Sequence, residues 1–259
     1  MNLVNPVLRK ELRSMLREKR AWLVPMMYAS VLAAAAYLFF LPARDAGGAT
    51  AELGATLAGL VAVMQAVAIC VFAPLVGAAG IAGERERGTW TRLLSSPARR
   101  GWITTGKLLS AWAYVLVVCS VSLPIAALSW LFGGTDLASL AGLYLSHAIL
   151  GVTMASVGLA ISTVFSRTWT AALVSIAFAL GLSVFTLAIF AAFGGFDGSR
   201  FEHLRWVLYW NPGYGQFLFF AGDSDMDLQA DWWWHFAAMG SLTLAATAFT
   251  WRRVQSLRD

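Results

Sequence analysis

LGATLAGLVAVMQAVAICVFAPLVGAAGIAG (residues 53–83) holds no Asp, Glu, Lys or Arg, and it runs directly into Glu84-Arg85-Glu86-Arg87. A helix needs about 20 apolar residues to cross roughly 30 Å of hydrocarbon. The stretch therefore reads as a membrane span with a charged foot. Five more uncharged stretches follow the same rule: residues 21–43, 108–135, 137–166, 168–196 and 232–251. Backbone groups in lipid must be hydrogen-bonded within the segment, so each is expected to be a helix. A barrel would instead show segments of about ten alternating residues, and none is present. The composition agrees. The chain has 259 residues, 59% apolar and 13% charged, with a mean hydropathy of +0.66. A soluble domain carries roughly 25% charged residues. Disorder and a disulfide scaffold are excluded by the apolar content and by two cysteines only. Cys70 and Cys119 fall inside spans and read as small apolar residues.

The expected fold is thus an all-α integral membrane protein with six transmembrane helices in a single domain over residues 1–259. Six spans put both termini on one side. Sixteen of the nineteen Lys and Arg residues lie on that side, in the N-terminal segment, the loop after span two, at Arg167 and at the C-terminus. Only Arg44, Arg200 and Arg205 lie opposite. The positive-inside rule makes the rich side, and both termini, cytoplasmic. The basic pI of about 9.6 is a topology signal, and no soluble basic domain exists to bind nucleic acid. The first span is too long for the 7–15-residue core of a cleaved signal peptide, so it reads as a retained helix.

Residues 5–20 predict a helix lying on the membrane. Asn5 can cap it and Pro6 suits the first helical position. Val4, Leu8, Leu12, Met15 and Leu16 form one face; Arg9, Lys10, Arg13 and Arg17 form a basic face toward lipid headgroups. Gly77, Gly80 and Gly83 near the end of span two offer a small-residue face to another helix. Gln65 is the one side-chain amide inside the spans and reads as a helix–helix hydrogen bond. The loop at 84–96 alternates in charge through Glu84, Arg85, Glu86 and Arg87, then offers Trp90, Leu93 and Leu94 as an apolar edge. It reads as a short helix presented to a partner protein. Ser96-Pro97 would start the next helix. Gly101 to Lys107 matches GxxxxGK, but Leu108 stands where a phosphate-binding loop needs Ser or Thr, and no strand precedes it.

The outer segment, 197–231, carries Trp206, Tyr209 and Trp210, a break at Asn211-Pro212-Gly213, and a second apolar run. Two short helices at the outer interface are expected, with Trp206, Trp210 and Trp232 as interfacial anchors. Asp223, Asp225, Asp227 and Asp231 lack the sixth-position Gly and twelfth-position Glu of a calcium loop, and read as a solvated acidic face. His147, His203 and His235 are scattered, so no metal site is expected. The spans hold no acid, lysine or arginine, which argues against an ion-coupled carrier.

Gly83-Glu84-Arg85-Glu86-Arg87-Gly88-Thr89, Leu93-Leu94-Ser95-Ser96-Pro97, and Gly106-Lys107 resemble the permease subunits of type-2 ATP-binding-cassette exporters. There a Gly-Glu-x-Glu-x-Gly-Thr stretch follows the second span, Leu-Leu-x-x-Pro comes shortly after, and Gly-Lys opens the third. Trp90 departs from the small aliphatic residue more usual at that place. The resemblance implies a half-transporter in a bacterial cytoplasmic (inner) membrane. It would pair with a second permease, a copy or a homologue, and with two copies of a separate ATPase subunit. Residues 84–94 would dock on that ATPase. The chain itself would have no catalytic residue and no cofactor; ATP and magnesium would belong to the partner. The cargo would be apolar or amphiphilic. Two other readings stay open on the sequence: a force-transmitting or assembly subunit of a membrane machine, and a lipid-acting membrane enzyme using His147 or the outer aromatic segment.

Overall fold

The computed structural model describes residues 5–45, 51–95, 100–196, 198–221 and 229–256. Among them the regular structure is helical throughout. Helix α1 (Pro6–Arg17) begins as its sequence predicts. The Asn5 side-chain oxygen accepts from the amides of Val7 at 3.0 Å and Leu8 at 3.4 Å, with Pro6 in the first turn. A 3₁₀ turn at Lys19–Trp22 leads into α2 (Leu23–Asp45). Helix α3 (Ala51–Glu86) has 36 residues, roughly 54 Å at 1.5 Å per residue. It outruns the hydrocarbon layer, so the charged foot continues the span itself. Gly88, at φ 66°, makes the turn that ends it, in a conformation that favours glycine. The five-residue α4 (Trp90–Leu94) follows. Only this last part of the 84–96 segment forms a separate helix, and Ser96-Pro97 lies outside the described residues.

The uncharged stretch 108–135 is not one span. Helix α5 (Arg100–Ser120) starts earlier, and α6 (Leu123–Leu131) follows a break. Pro124 has no N–H to offer the Ser120 carbonyl, and its ring crowds that group. Ser122 turns its hydroxyl back to the Cys119 carbonyl at 2.8 Å instead. The chain continues through α7 (Leu137–Ser162), α8 (Thr168–Ala192), α9 (Gly198–Leu208), α10 (Tyr214–Ala221) and α11 (Gln229–Ser256). The short pair α9 and α10, separated at Asn211-Pro212-Gly213, is the hairpin expected from the aromatic outer segment.

Among the described residues, five helices are long and apolar enough to cross a membrane: Leu23–Leu41, Ala51–Glu86, Gly101–Ser120, Leu137–Ser162 and Thr168–Ala192. With 28 residues α11 has the length, but Trp232–Trp234, His235 and three threonines dilute its apolar character. It nevertheless lies along α7. Thr153 bonds Thr243 at 2.9 Å, and Val157 and Ala160 pack with Ala246. Helices α3, α7 and α11 run parallel, since Ala62 meets His147 and Arg85 meets the end of α7. Helix α5 runs antiparallel to α3, with Lys107 beside Glu84 and Ser122 beside Gln65. One end of the bundle thus gathers α1, α4, the start of α5 and the end of α11.

Helices α3 and α7 form the centre. A Cβ on Gly77 would lie 2.2 Å from the Ala155 carbonyl oxygen, and one on Gly158 would lie 2.2 Å from that of Pro74. Only glycine permits backbones this close. Gly77 therefore serves as the sequence predicts, whereas Gly83 has ordinary space around it. Gln65 is fully buried and its carbonyl oxygen accepts from Ser122, whose hydroxyl also meets Tyr144 at 2.7 Å. This is the helix–helix role read from the sequence. Among the described residues, helices α2 and α8 each expose more large apolar side chains than any other helix, including Val31, Leu38, Phe178 and Val184.

Candidate functional site

Consecutive helical residues point about 100° apart. Glu84, Arg85 and Glu86 therefore leave α3 in three directions, and each finds a different helix. The Glu84 carboxylate is buried. It lies 3.4 Å from the Lys107 ammonium of α5 and 3.7 Å from that of Lys10 of α1, and it accepts from the Thr89 hydroxyl. Lys107 reaches Glu11 of α1 at 3.1 Å. Asn5 ties the same two helices, donating to the Trp102 carbonyl at 2.9 Å and the Thr105 hydroxyl at 3.2 Å. Gly106 makes the seat, because a Cβ there would lie 2.9 Å from Leu8 N and from Val7 Cβ. The Gly-Lys pair that ends the GxxxxGK stretch thus serves packing and charge pairing.

Arg85 donates to the Thr163 carbonyl at 2.9 Å, just past the end of α7. Its guanidinium also lies 5.9 Å from the centre of the Trp90 ring, within cation–π range. Glu86 accepts from the Thr168 amide at 3.1 Å, so a carboxylate meets the positive N-terminus of α8. Three successive side chains of α3 thereby grip α1, α5, α7, α8 and α4.

The apolar edge expected at Trp90, Leu93 and Leu94 turns inward. Trp90 is buried in the main core, and Leu93 and Leu94 pack half-buried against it. The sequence pattern is amphipathic, but burying three large apolar groups on the bundle outweighs offering them to water. What faces outward is polar: Glu86, Arg87, Gly88, Thr91 and Arg92. Sequence reasoning missed Glu11, Thr163 and Thr168 as partners of the foot. Only Glu11 left a trace, as an acid on the helix face away from Arg9 and Arg13.

The residues expected at the membrane interface lie at opposite ends of the bundle. Arg9, Lys10, Arg13 and Arg17 are all exposed, as an interfacial basic face requires. Val7, absent from the expected apolar stripe, is the most buried residue of α1, while Leu16 is exposed and Val4 lies outside the described residues. At the opposite end Trp206 and Trp210 are exposed, and Trp232 packs on Phe236 with ring centres 5.6 Å apart.

Asp231 corrects the expectation of a solvated acidic face; Asp223, Asp225 and Asp227 lie outside the described residues. Asp231 is fully buried, accepting from Tyr209 at 3.0 Å and Tyr214 at 2.7 Å, with Arg205 at 3.4 Å. Burial, then the bond to this carboxylate, pushes the Tyr209 phenol up to about 12 and raises that of Tyr214 as well. Asn211 donates to the Ser183 carbonyl at 2.9 Å and the Thr186 hydroxyl at 2.8 Å, fixing the hairpin to α8. His147 is buried between the Ala62 carbonyl at 3.2 Å and the Gln216 amide at 3.1 Å. It links α7 to α3 and α10.

A comparison with known curated proteins finds no match for the chain. A comparison with protein families matches residues 5–203, from the cap of α1 into α9, to the ABC-2 family transporter protein family. Permeases of this family associate with ABC ATPase subunits and with a partner permease. The apolar bundle and its charged foot accordingly belong to a member of the ABC-2 transporter family, the membrane permease component of an ABC transporter.

Proposed function

We propose that the chain is one half of an ATP-driven exporter of apolar or amphiphilic cargo, worked through the foot of α3. The supporting observation is that Glu84, Arg85 and Glu86 join that foot to α1, α5, α7 and α8. A force on the Arg87–Gly88 turn is therefore delivered to several spans at once. The outward residues Glu86, Arg87, Gly88, Thr91 and Arg92 form the docking face for a separate ATPase, while Glu84 and Trp90 hold that face to the bundle. ATP and magnesium belong to the ATPase subunit, of which two copies serve two permease halves. Helix α11 is the sixth span, both termini and the foot are cytoplasmic, and the membrane is a bacterial inner membrane. The second half, a copy or a homologue, covers part of the exposed apolar surface of α2 and α8.

The reading is tested by co-expressing the permease with its cognate ATPase in vesicles. Arg87→Glu combined with Arg92→Glu should abolish permease-dependent stimulation of ATP hydrolysis while the permease keeps its native melting temperature. Full stimulation by that variant would overturn the assignment of the docking face.

A further inference from the structure

A cleft of about 220 Å³ opens between α1, α3 and α5, beside the charged foot. Four of its lining side chains are charged: Glu11, Glu18, Arg87 and Lys107. Met15, Val76 and Ala79 give it an apolar wall. Lys107 and Glu11 engage each other at 3.1 Å. Arg87 and Glu18 are exposed, and neither makes an ion pair within 4 Å among the described residues. The mouth therefore offers, among the described residues, one cation and one anion without an ion pair within 4 Å, and the four charges of the lining sum to zero.

That balance selects the ligand. Two carboxylates in the lining oppose a purely anionic group. Quaternary ammonium ions are held in aromatic cages, and no aromatic side chain lines this cleft. A primary ammonium, with three N–H donors, suits a carboxylate, and a phosphate suits the fork of an arginine. The volume is below the roughly 300–1,000 Å³ of sites that enclose a whole small molecule, so it takes a headgroup and leaves the tails outside. With α1 as an interfacial helix, its exposed basic face would put the cleft at headgroup depth.

We propose that this cleft binds the headgroup of a phospholipid bearing a phosphate and a primary ammonium, with Arg87 on the phosphate, Glu18 on the ammonium and the acyl chains in the bilayer. The inference goes beyond the transport reading but shares Arg87 with the proposed ATPase docking face, so its test uses the permease without the ATPase.

The test is native mass spectrometry of the purified permease with dioleoyl phosphatidylethanolamine, phosphatidylcholine or phosphatidylglycerol, and with soluble phosphoethanolamine. The ethanolamine lipid should be retained about tenfold better than the other two, the effect of one charge-assisted hydrogen bond. Glu18→Gln and Arg87→Gln should each lower its retention about tenfold, and Ser14→Trp, at an exposed lining position, should block it. All three changes are at exposed positions, and a native melting temperature confirms folding. Equal retention of the choline lipid, or full retention by all three variants, overturns the proposal. Competition by soluble phosphoethanolamine at the lipid's own affinity would overturn the lipid as ligand in favour of a free zwitterion.

Discussion

Replacing Lys107 by Met should cost this permease about 3–5 kcal/mol of stability, the usual result of removing one partner from a buried ion pair. The Lys107 side chain is 3% exposed and lies between Glu84, 8% exposed, and Glu11, 18% exposed. At 3.4 Å and an effective dielectric near 20, the Lys107–Glu84 attraction is about 5 kcal/mol, and the desolvation of both groups offsets much of it. Methionine fills similar space, so the loss is one of charge rather than volume. It leaves two carboxylates facing each other with Lys10 as their nearest cation. Glu84→Gln should cost only about 1–2 kcal/mol, because Lys107 keeps Glu11 at 3.1 Å. The double variant should be no less stable than Lys107→Met alone. Thermal unfolding in detergent, read by the fluorescence of the twelve tryptophans, gives the comparison. At roughly 2–4 °C per kcal/mol the single Lys107→Met change should lower the midpoint by about 10 °C. A shift below about 2 °C, or strict additivity of the two changes, would refute the three-way charge node.

Gly158→Ala should force α3 and α7 apart by about 1 Å, because its Cβ would meet the Pro74 carbonyl oxygen at 2.2 Å; a cost of about 1–3 kcal/mol is expected, and an unchanged unfolding midpoint would contradict the packing. Trp90→Ala should destabilise by about 3–5 kcal/mol, as for a buried aromatic, and a value near zero would return Trp90 to the partner-facing surface. Asp136 caps α7 by accepting from the amides of Ala138 at 3.0 Å and Ser139 at 3.3 Å. Hydrogen bonds from Ser139 hold its carboxyl below the usual value. Its capping is present above that value and is lost as pH falls through the lowered one. Hydrogen exchange at 138–140 should therefore accelerate in acid, and Asp136→Asn should remove that pH dependence.

The foot of α3 shows where sequence legibility stopped. The alternation Glu84-Arg85-Glu86-Arg87 marks a charged segment beyond a span, but a helical period gives only directions around its own axis. Whether Glu84 meets water or Lys107 depends on α5 running back beside α3, a contact 23 residues away in sequence. The same limit applies to Trp90 and Leu93, whose amphipathic spacing could serve a partner or the bundle. Asp231 was misread for a related reason. Its acidic neighbours suggested solvent, and the tyrosines that bury it come from 17 and 22 residues earlier.

Composition and the spacing of charges alone determined that this chain is a helical membrane protein, where the first helix is capped, and that the outer segment breaks into two short helices. Those features follow from the length of a lipid-crossing helix and from local backbone chemistry. The tertiary structure decided which charges are buried, because only the assembled helices bring Glu84 and Glu11 each within 4 Å of Lys107. It also decided where span three stops and which glycines hold the centre together. These are properties of surfaces in contact, and a one-dimensional pattern does not specify the partner surface.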